Sequence, residues 1–362
     1  MHIAIDAREL RTSSGRYVER LLHYLQQLES PHQYSVLLKP QDMAGWQPSN
    51  PNFTKVACPH KEFSFAEQIG FKRQLEQLKP DLVHFTFPQQ PITYRGKTVT
   101  TIHDLTTLRF HNPDKKRTVF IIKQGIYDRV IKAAVKKSKA VIAISEFTKS
   151  DLVNFSHIDP NKVTVTYESA DPIQDPPTPL PDLQKSRFIM YVGRPTPHKN
   201  LVRLIAAYTH LLAQHYDLKL VLVGKQDANY ERIATGVPDR YKDNVVFTGF
   251  ASEGLLRWLY ENCEAYVFPS LSEGFGLPGL EAMLNGAPVV SSDATCLPEI
   301  YGDAAHYFDP ENVESMADAI NEVLTDKELR EKLIKNGKLQ VEKYSWQRMA
   351  EQTLRVYEKA LE

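Results

Sequence analysis

The stretch Glu273–Glu281 reads E-G-F-G-L-P-G-L-E, and its reading decides the fold. The apolar run before it, A-Y-V-F-P-S from Ala265 to Ser270, predicts a short buried strand, and L-E-A-M-L-N-G after it predicts a helix that ends at Gly286. Pro278 suits the first helical position, where its missing N–H is no loss and its fixed φ is already helical. Gly274 and Gly276 then fall in a strand-to-helix turn, where backbone N–H groups can approach a ligand and the helix dipole favours anionic or polar oxygens. Glu273 and Glu281 flank the turn. Carboxylates do not bind phosphate, but they accept hydrogen bonds from the hydroxyls of a sugar or a ribose. A purely structural alternative has Glu281 complementing the helix dipole and Glu273 solvated in a loop.

The E-x7-E spacing with its glycines and proline resembles the signature of the retaining, nucleotide-sugar-dependent glycosyltransferases of the GT-B fold, the family of sucrose and glycogen synthases and bacterial α-mannosyltransferases. The resemblance implies that Glu273 contacts the transferred sugar. It assigns the sugar and phosphate oxygens to backbone N–H groups of Gly274, Phe275, Gly276 and Leu277, and the ribose hydroxyls to Glu281.

At 362 residues, with 42% hydrophobic and 24% charged residues, the chain is long enough for two globular domains. Cys58, Cys263 and Cys296 are widely spaced, which predicts neither a disulfide framework nor a zinc site and suits a reducing, cytoplasmic setting. No apolar run approaches the roughly 20 residues of a membrane span. The formal net charge of zero divides unevenly. Residues 1–150 carry 23 Lys and Arg against 13 Asp and Glu, and residues 151–362 carry 21 against 31. A basic first half predicts an acidic partner for that half.

The opening M-H-I-A-I-D-A predicts a strand, and R-T-S-S-G-R-Y-V-E-R-L-L a turn into an amphipathic helix. Gly15 stands where strand gives way to helix, the ligand crevice of open α/β sheets. By position it matches the family glycine whose N–H faces the donor diphosphate. Short β-branched runs at 34–38, 81–85, 98–102, 140–144 and 163–167 alternate with helical spacing at 65–78 and 116–137. Such alternation predicts right-handed βαβ units and a parallel sheet. His103 follows a strand directly, and the resemblance makes it a contact to the donor sugar near the reacting carbon; a histidine satisfied by local backbone is the structural alternative. Ser145 reads as the N-cap of a helix beginning at Glu146.

The segment Asp114–Lys139 holds nine basic and two acidic residues. Val119, Ile122, Ile126, Val130 and Ala133 recur at spacings of three and four, which predicts that they pack inward and leave the basic face outside. Its charge density suits an anionic membrane surface. Nucleic acid is not expected, because no recognition motif or aromatic platform accompanies the charge.

Five prolines between Pro172 and Pro181 predict a stiff linker over 171–185, between an N-terminal domain 1–170 and a C-terminal domain 186–344. Ser345 reads as the N-cap of a last helix, about 345–362, that crosses back to the first domain. In the second domain the strand before Gly193 leads to Arg194, P-T-P-H, Lys199 and Asn200, with Asn200 the expected N-cap. Two cations beside a helix N-terminus make an anion site suited to a departing diphosphate, the role the family also implies for Arg194 and Lys199. Thr248, Gly249 and Phe250 match the backbone that holds the nucleobase in the family.

The expected fold is α/β, with two Rossmann-like domains facing across a cleft. The expected activity is metal-independent retaining transfer of mannose or glucose, in surface polysaccharide or glycolipid assembly, with no cofactor. The opening I-D-A-R-E-L with S-G-R-Y resembles bacterial mannosyltransferases that use GDP-mannose, which implies GDP-mannose as donor with UDP-glucose next, and the acceptor is expected to be a glycan or lipid-linked, at the inner face of the membrane. A GT-B epimerase or phosphorylase and a non-catalytic nucleotide-sugar-binding subunit are the alternatives.

Overall fold

A computed structural model of the chain describes residues 1–12, 15–110 and 117–362, without the side chains of 117–119 and 122. The chain forms two compact units. The first gathers Met1–Arg109, Lys116–Glu168 and Ser345–Glu362; the second is chiefly Ser169–Tyr344.

The first unit is built on a seven-stranded sheet: β1 (His2–Asp6), β2 (Gln33–Leu38), β3 (Phe53–Ala57), β4 (Leu82–Phe85), β5 (Thr98–Ile102), β6 (Ala140–Ala143) and β7 (Val163–Val165), in the order β3-β2-β1-β4-β5-β6-β7. The second carries β8 (Phe188–Val192), β9 (Lys219–Val223), β10 (Val245–Gly249), β11 (Ala265–Phe268), β12 (Val289–Ser292) and β13 (Ala305–Phe308), in the order β10-β9-β8-β11-β12-β13. Every pairing is parallel. In each sheet the order reverses beside the first strand, at β1/β4 and at β8/β11, and loops at such switch points form the ligand crevice of doubly wound sheets. Sequence reading missed β3 and β13. F-T-K-V-A alternates apolar and polar along an outer strand, and A-H-Y-F carries a polar histidine, so neither reads as a buried run.

Three local expectations change. The helical spacing of 65–78 yields a π-helical turn, Glu67–Phe71, before the α-helix Lys72–Leu78. Such a turn re-aims one side chain, and here Glu67 reaches a buried Arg8 at 2.9 Å. Arg8 also pairs with Asp6 at 2.7 Å and lies over the Phe71 ring, so two residues of the I-D-A-R opening are spent on a buried ion cluster. The basic helix runs Arg117–Lys137; residues 114–116 and the side chains of Val119 and Ile122 lie outside the described residues. Its inward face is Ile131, Ala134 and Val135, one residue on from the expected set, while Ile126 is 53% exposed. The apolar stripe is wide enough to permit either phase, and packing on Ile102, Val141 and Leu152 selects this one.

The last helix, Trp346–Leu361, is capped by Ser345, whose hydroxyl accepts from Arg348 N, and packs on the helix Arg16–Leu25. A buried polar chain fixes it to the first sheet. Tyr357 meets His84 Nδ1 at 2.6 Å, His84 Nε2 meets the Thr101 hydroxyl at 2.8 Å, and Tyr17 reaches the same hydroxyl at 3.0 Å. Burial pushes the His84 imidazole down to about 3, so it stays neutral in the fold while an unfolded chain takes up its proton near pH 6.5. The unfolded state then binds more protons below that pH, and stability falls on acidification. Between pH 6.5 and 5, His84 is expected to contribute a slope that rises from about half of 1.4 kcal/mol per pH unit toward that full value. His84→Gln should remove that part of the slope in urea unfolding; an unchanged slope would place the proton uptake elsewhere.

Candidate active site

Three loops meet at the switch point of the second sheet. The first leaves β8 and carries Arg194 and Lys199; the second leaves β11 and carries Glu273; the third leaves β12 and carries Thr295 and Cys296. Backbone contacts lock them in place. Leu271 N donates to His198 O at 2.7 Å, and the Ser292 hydroxyl donates to Ser270 O at 2.6 Å. Glu273 is held from both sides, its N–H donating to Thr295 Oγ1 at 3.1 Å and its carbonyl accepting from the Cys296 thiol at 3.3 Å.

Across this frame the Lys199 ammonium donates to Glu273 Oε1 at 2.5 Å. Both side chains are part-buried, so the pair is stronger than an exposed one while its open side can still meet a ligand. Arg194, earlier in the same loop, is exposed and has no side-chain partner among the described residues. Asn200 stands at the N-cap of Leu201–Leu211 but does not cap it with its side chain. Its backbone is left-handed, and its amide donates to Pro269 O at 3.0 Å and Pro310 O at 2.7 Å. Asn200 thus ties the Lys199 loop to the end of β11.

The turn itself differs from expectation in detail. The helix is Leu277–Leu284, with Gly276 before it at φ +93°, and Pro278 takes the second helical position. Glu281 therefore lies in the second turn, not the first, and is buried. Gly286 closes the helix at φ +79°, the left-handed conformation usual just past a helix end. The glycines serve a buried tyrosine. Tyr301 donates its hydroxyl to Gly276 O at 2.6 Å, and a Cβ at Gly276 or Gly279 would come within 2.5 or 2.3 Å of the Tyr301 side chain. Thr248, Gly249 and Phe250 lie at the end of the edge strand β10, two strands from β8; Gly249 has φ +72° and Phe250 is 86% exposed.

In the first unit, Gly15 precedes the helix Arg16–Leu25, and a Cβ there would sit 2.2 Å from Leu10 O. Close backbone approach alone accounts for glycine at this position. His103 follows β5, stacked on Phe87 and edge-on to Tyr17. Its Nε2 lies 3.0 Å from Thr86 O, and its Nδ1 lies 3.2 Å from Glu168 Oε1. Because a carbonyl only accepts, Nε2 is the donor to Thr86 O, while Nδ1 faces the Glu168 carboxyl. Both ring nitrogens are thus occupied in the free chain, and a ligand of His103 has to displace one partner. Sequence reading missed Glu168, although it closely follows β7 in the same position that drew attention to His103. It also missed Tyr301, Thr295 and Cys296, whose parts depend on contacts across the fold.

With parallel sheets of this order and loops converging at a switch point, the comparisons with known proteins agree. The chain belongs to the GT-B-fold glycosyltransferases. Residues 178–340 match the family Glycosyl transferases group 1, and residues 14–173 match Glycosyltransferase Family 4. The chain is similar to O-antigen chain mannosyltransferase B of Escherichia coli, 28% identical over 72% of this chain and 70% of that protein. To the serotype-specific mannosyltransferase WbdA of E. coli it is 32% identical over 69% of this chain, spanning only 32% of that longer protein. Among solved structures it resembles the sucrose-phosphate synthase of Thermosynechococcus elongatus (TM-score 0.77, 20% identity, 99% and 98% of the two chains). It also resembles HepE of Anabaena, solved with UDP and glucose (TM-score 0.71, 17% identity, 98% and 99% of the two chains).

The packing of Tyr301 supplies a test whose sign is informative. Alanine in place of a helical glycine ordinarily stabilises by about 1 kcal/mol. Gly279→Ala is expected instead to destabilise by about 1–3 kcal/mol through overpacking against Tyr301, measured by denaturant unfolding. A stabilised variant would show that the tyrosine yields freely.

Proposed function

We propose that the chain is a retaining hexosyltransferase that moves mannose or glucose from a nucleoside diphosphate sugar to a hydroxyl of a surface polysaccharide or glycolipid. The contact between Lys199 and Glu273 carries this reading. It brings an ammonium and a carboxylate together from two strand ends at a switch point, one suited to a leaving diphosphate and the other to sugar hydroxyls. The names of the O-antigen relatives support mannose, and the Anabaena structure with UDP and glucose supports a nucleotide-sugar donor. GDP-mannose is the first donor to test and UDP-glucose the second.

In the proposed step the bond from the anomeric carbon to the diphosphate oxygen breaks. The acceptor oxygen bonds to the same face, and its proton passes to the departing phosphate. Arg194 and Lys199 neutralise the growing charge, a scheme that requires no metal. Glu273 meets hydroxyls of the transferred sugar, Glu281 the ribose, and the backbone N–H groups of Gly274, Phe275, Gly276 and Leu277 the oxygens between. Thr248, Gly249 and Phe250 are assigned to the base, and Gly15 and His103 to the donor, as the family resemblance implies. The basic helix Arg117–Lys137 meets an anionic membrane surface at its inner face, where a lipid-linked acceptor would be found.

Lys199→Ala is expected to lower turnover about 10²-fold or more with thermal stability retained; wild-type turnover in that variant removes Lys199 from the mechanism. Glu281→Ala should weaken binding of the free nucleotide in calorimetry. A thermal-shift panel of GDP, UDP, ADP and their sugars identifies the donor, since a ligand at 100 times its dissociation constant stabilises by about 2.7 kcal/mol.

A further inference from the structure

A cavity of about 640 Å³ in the first unit is lined by Lys72, Glu76, Ile92, Tyr94, Arg95 and Lys137. Three of these are cations and one is a carboxylate. Lys72 faces Glu76 at 3.6 Å, which leaves two cations without a counter-charge. Arg95 is exposed, and no side-chain partner meets it among the described residues. The Lys137 ammonium donates to Pro91 O at 2.7 Å and lies 5.7 Å from the centre of the Phe85 ring. No carboxylate pairs with it among the described residues, and burial pushes it down to about 8. At neutral pH it is still largely charged, a half-buried cation met by a carbonyl and a ring face rather than by a counter-charge among the described residues. Such a group favours an incoming anion.

Ile92 of the lining and two apolar side chains of the neighbouring helical segment, Phe65 and Ile69, are uncovered. Phe65 is 89% exposed, Ile69 55% and Ile92 39%. These residues belong to one surface, because the Gln68 side chain bridges their two segments: its amide donates to Gln90 O at 3.0 Å, and its carbonyl accepts from Ile92 N at 3.0 Å. The basic helix borders the same surface. Its Tyr127 ring lies 5.6 Å from Phe63, and Lys137 at its end reaches Pro91. Cations that lack counter-charges, beside exposed phenyl and isoleucine side chains, match the layered chemistry of a bilayer face, anionic phosphate above and acyl chain below. A soluble phosphate would use the cations and leave these apolar side chains without a role.

We propose that this cavity seats the phosphate headgroup of an anionic phospholipid, with Phe65, Ile69 and Ile92 entering the boundary between headgroups and acyl chains. The site rests on the membrane-surface reading above and moves its anchor from the helix to the cavity beside it. Each cation near an anionic surface is worth about fivefold in affinity.

The test is co-sedimentation of the full chain with phosphatidylcholine vesicles, with and without phosphatidylglycerol. The expected result is binding that requires phosphatidylglycerol. Lys72→Ala/Arg95→Ala should weaken it about 20-fold and the added Lys137→Gln about 100-fold, and Phe65→Ser/Ile69→Ser should weaken it as well. The exposed pair Lys72 and Arg95 keeps the test informative if the Lys137 variant unfolds. No vesicle binding by the wild type overturns the site and the membrane reading together. Unchanged binding in Lys72→Ala/Arg95→Ala, with loss in Lys123→Ala/Arg129→Ala on the helix, overturns the site alone. Vesicle binding indifferent to Phe65→Ser/Ile69→Ser, with a thermal shift by inorganic phosphate that needs Lys72 and Arg95, assigns the cavity to a soluble phosphate and overturns the lipid. Thermal shift by the nucleotide sugar, measured on the same variants, should not move and reports separately on the transferase reading.

Discussion

The turn from Glu273 to Glu281 is shaped by a tyrosine beneath it. Tyr301 is fully buried, donates to Gly276 O, and occupies the space that a Cβ at Gly276 or Gly279 would need. An interior packed this densely does not yield to an added methyl group. The glycine spacing of the motif therefore follows from packing before any ligand is considered. Once the turn is seated, Thr295 and Cys296 grip the Glu273 backbone, and the carboxylate is presented to Lys199. Functional geometry and fold stability share the same few contacts here.

A similar economy marks the first unit. Asp6 and Arg8 close a buried ion cluster with Glu67, which a π-helical turn aims inward. Breaking one member of such a cluster leaves a charge stranded in the interior, a cost of about 3–5 kcal/mol. Residues that look like a substrate signature in the opening I-D-A-R are thus committed to holding the end of β1 in place. His103 is treated in the same way by Thr86 and Glu168, with both ring nitrogens occupied before a substrate arrives. The basic character of this half divides between the helix Arg117–Lys137 and a cavity whose cations come from three separate segments.

Much of the fold was legible in the residues. Alternating β-branched runs and helical spacings follow from backbone geometry and burial on two faces, both local properties, and they pointed to two parallel sheets. The caps at Ser145 and Ser345 were legible because a hydroxyl beside an orphan N–H acts within one turn. Asn200 was not. Its amide is claimed by Pro269 and Pro310, far away in the chain, and that competition outweighs a local cap.

The sequence by itself determined the class of fold, the order of the strand-end loops, and the residue types, two cations and two carboxylates, in those loops and the helix that follows one of them. Tertiary structure decided which of them meet. It paired Lys199 with Glu273 across 74 positions, buried Glu281 in the second helical turn, and turned the basic helix one residue from its expected phase. It also supplied Tyr301, Glu168 and Thr295, which no periodicity marks. Periodicity and capping act over a few residues and are written locally, whereas burial, ion pairing and steric exclusion depend on what the rest of the chain brings to the same place.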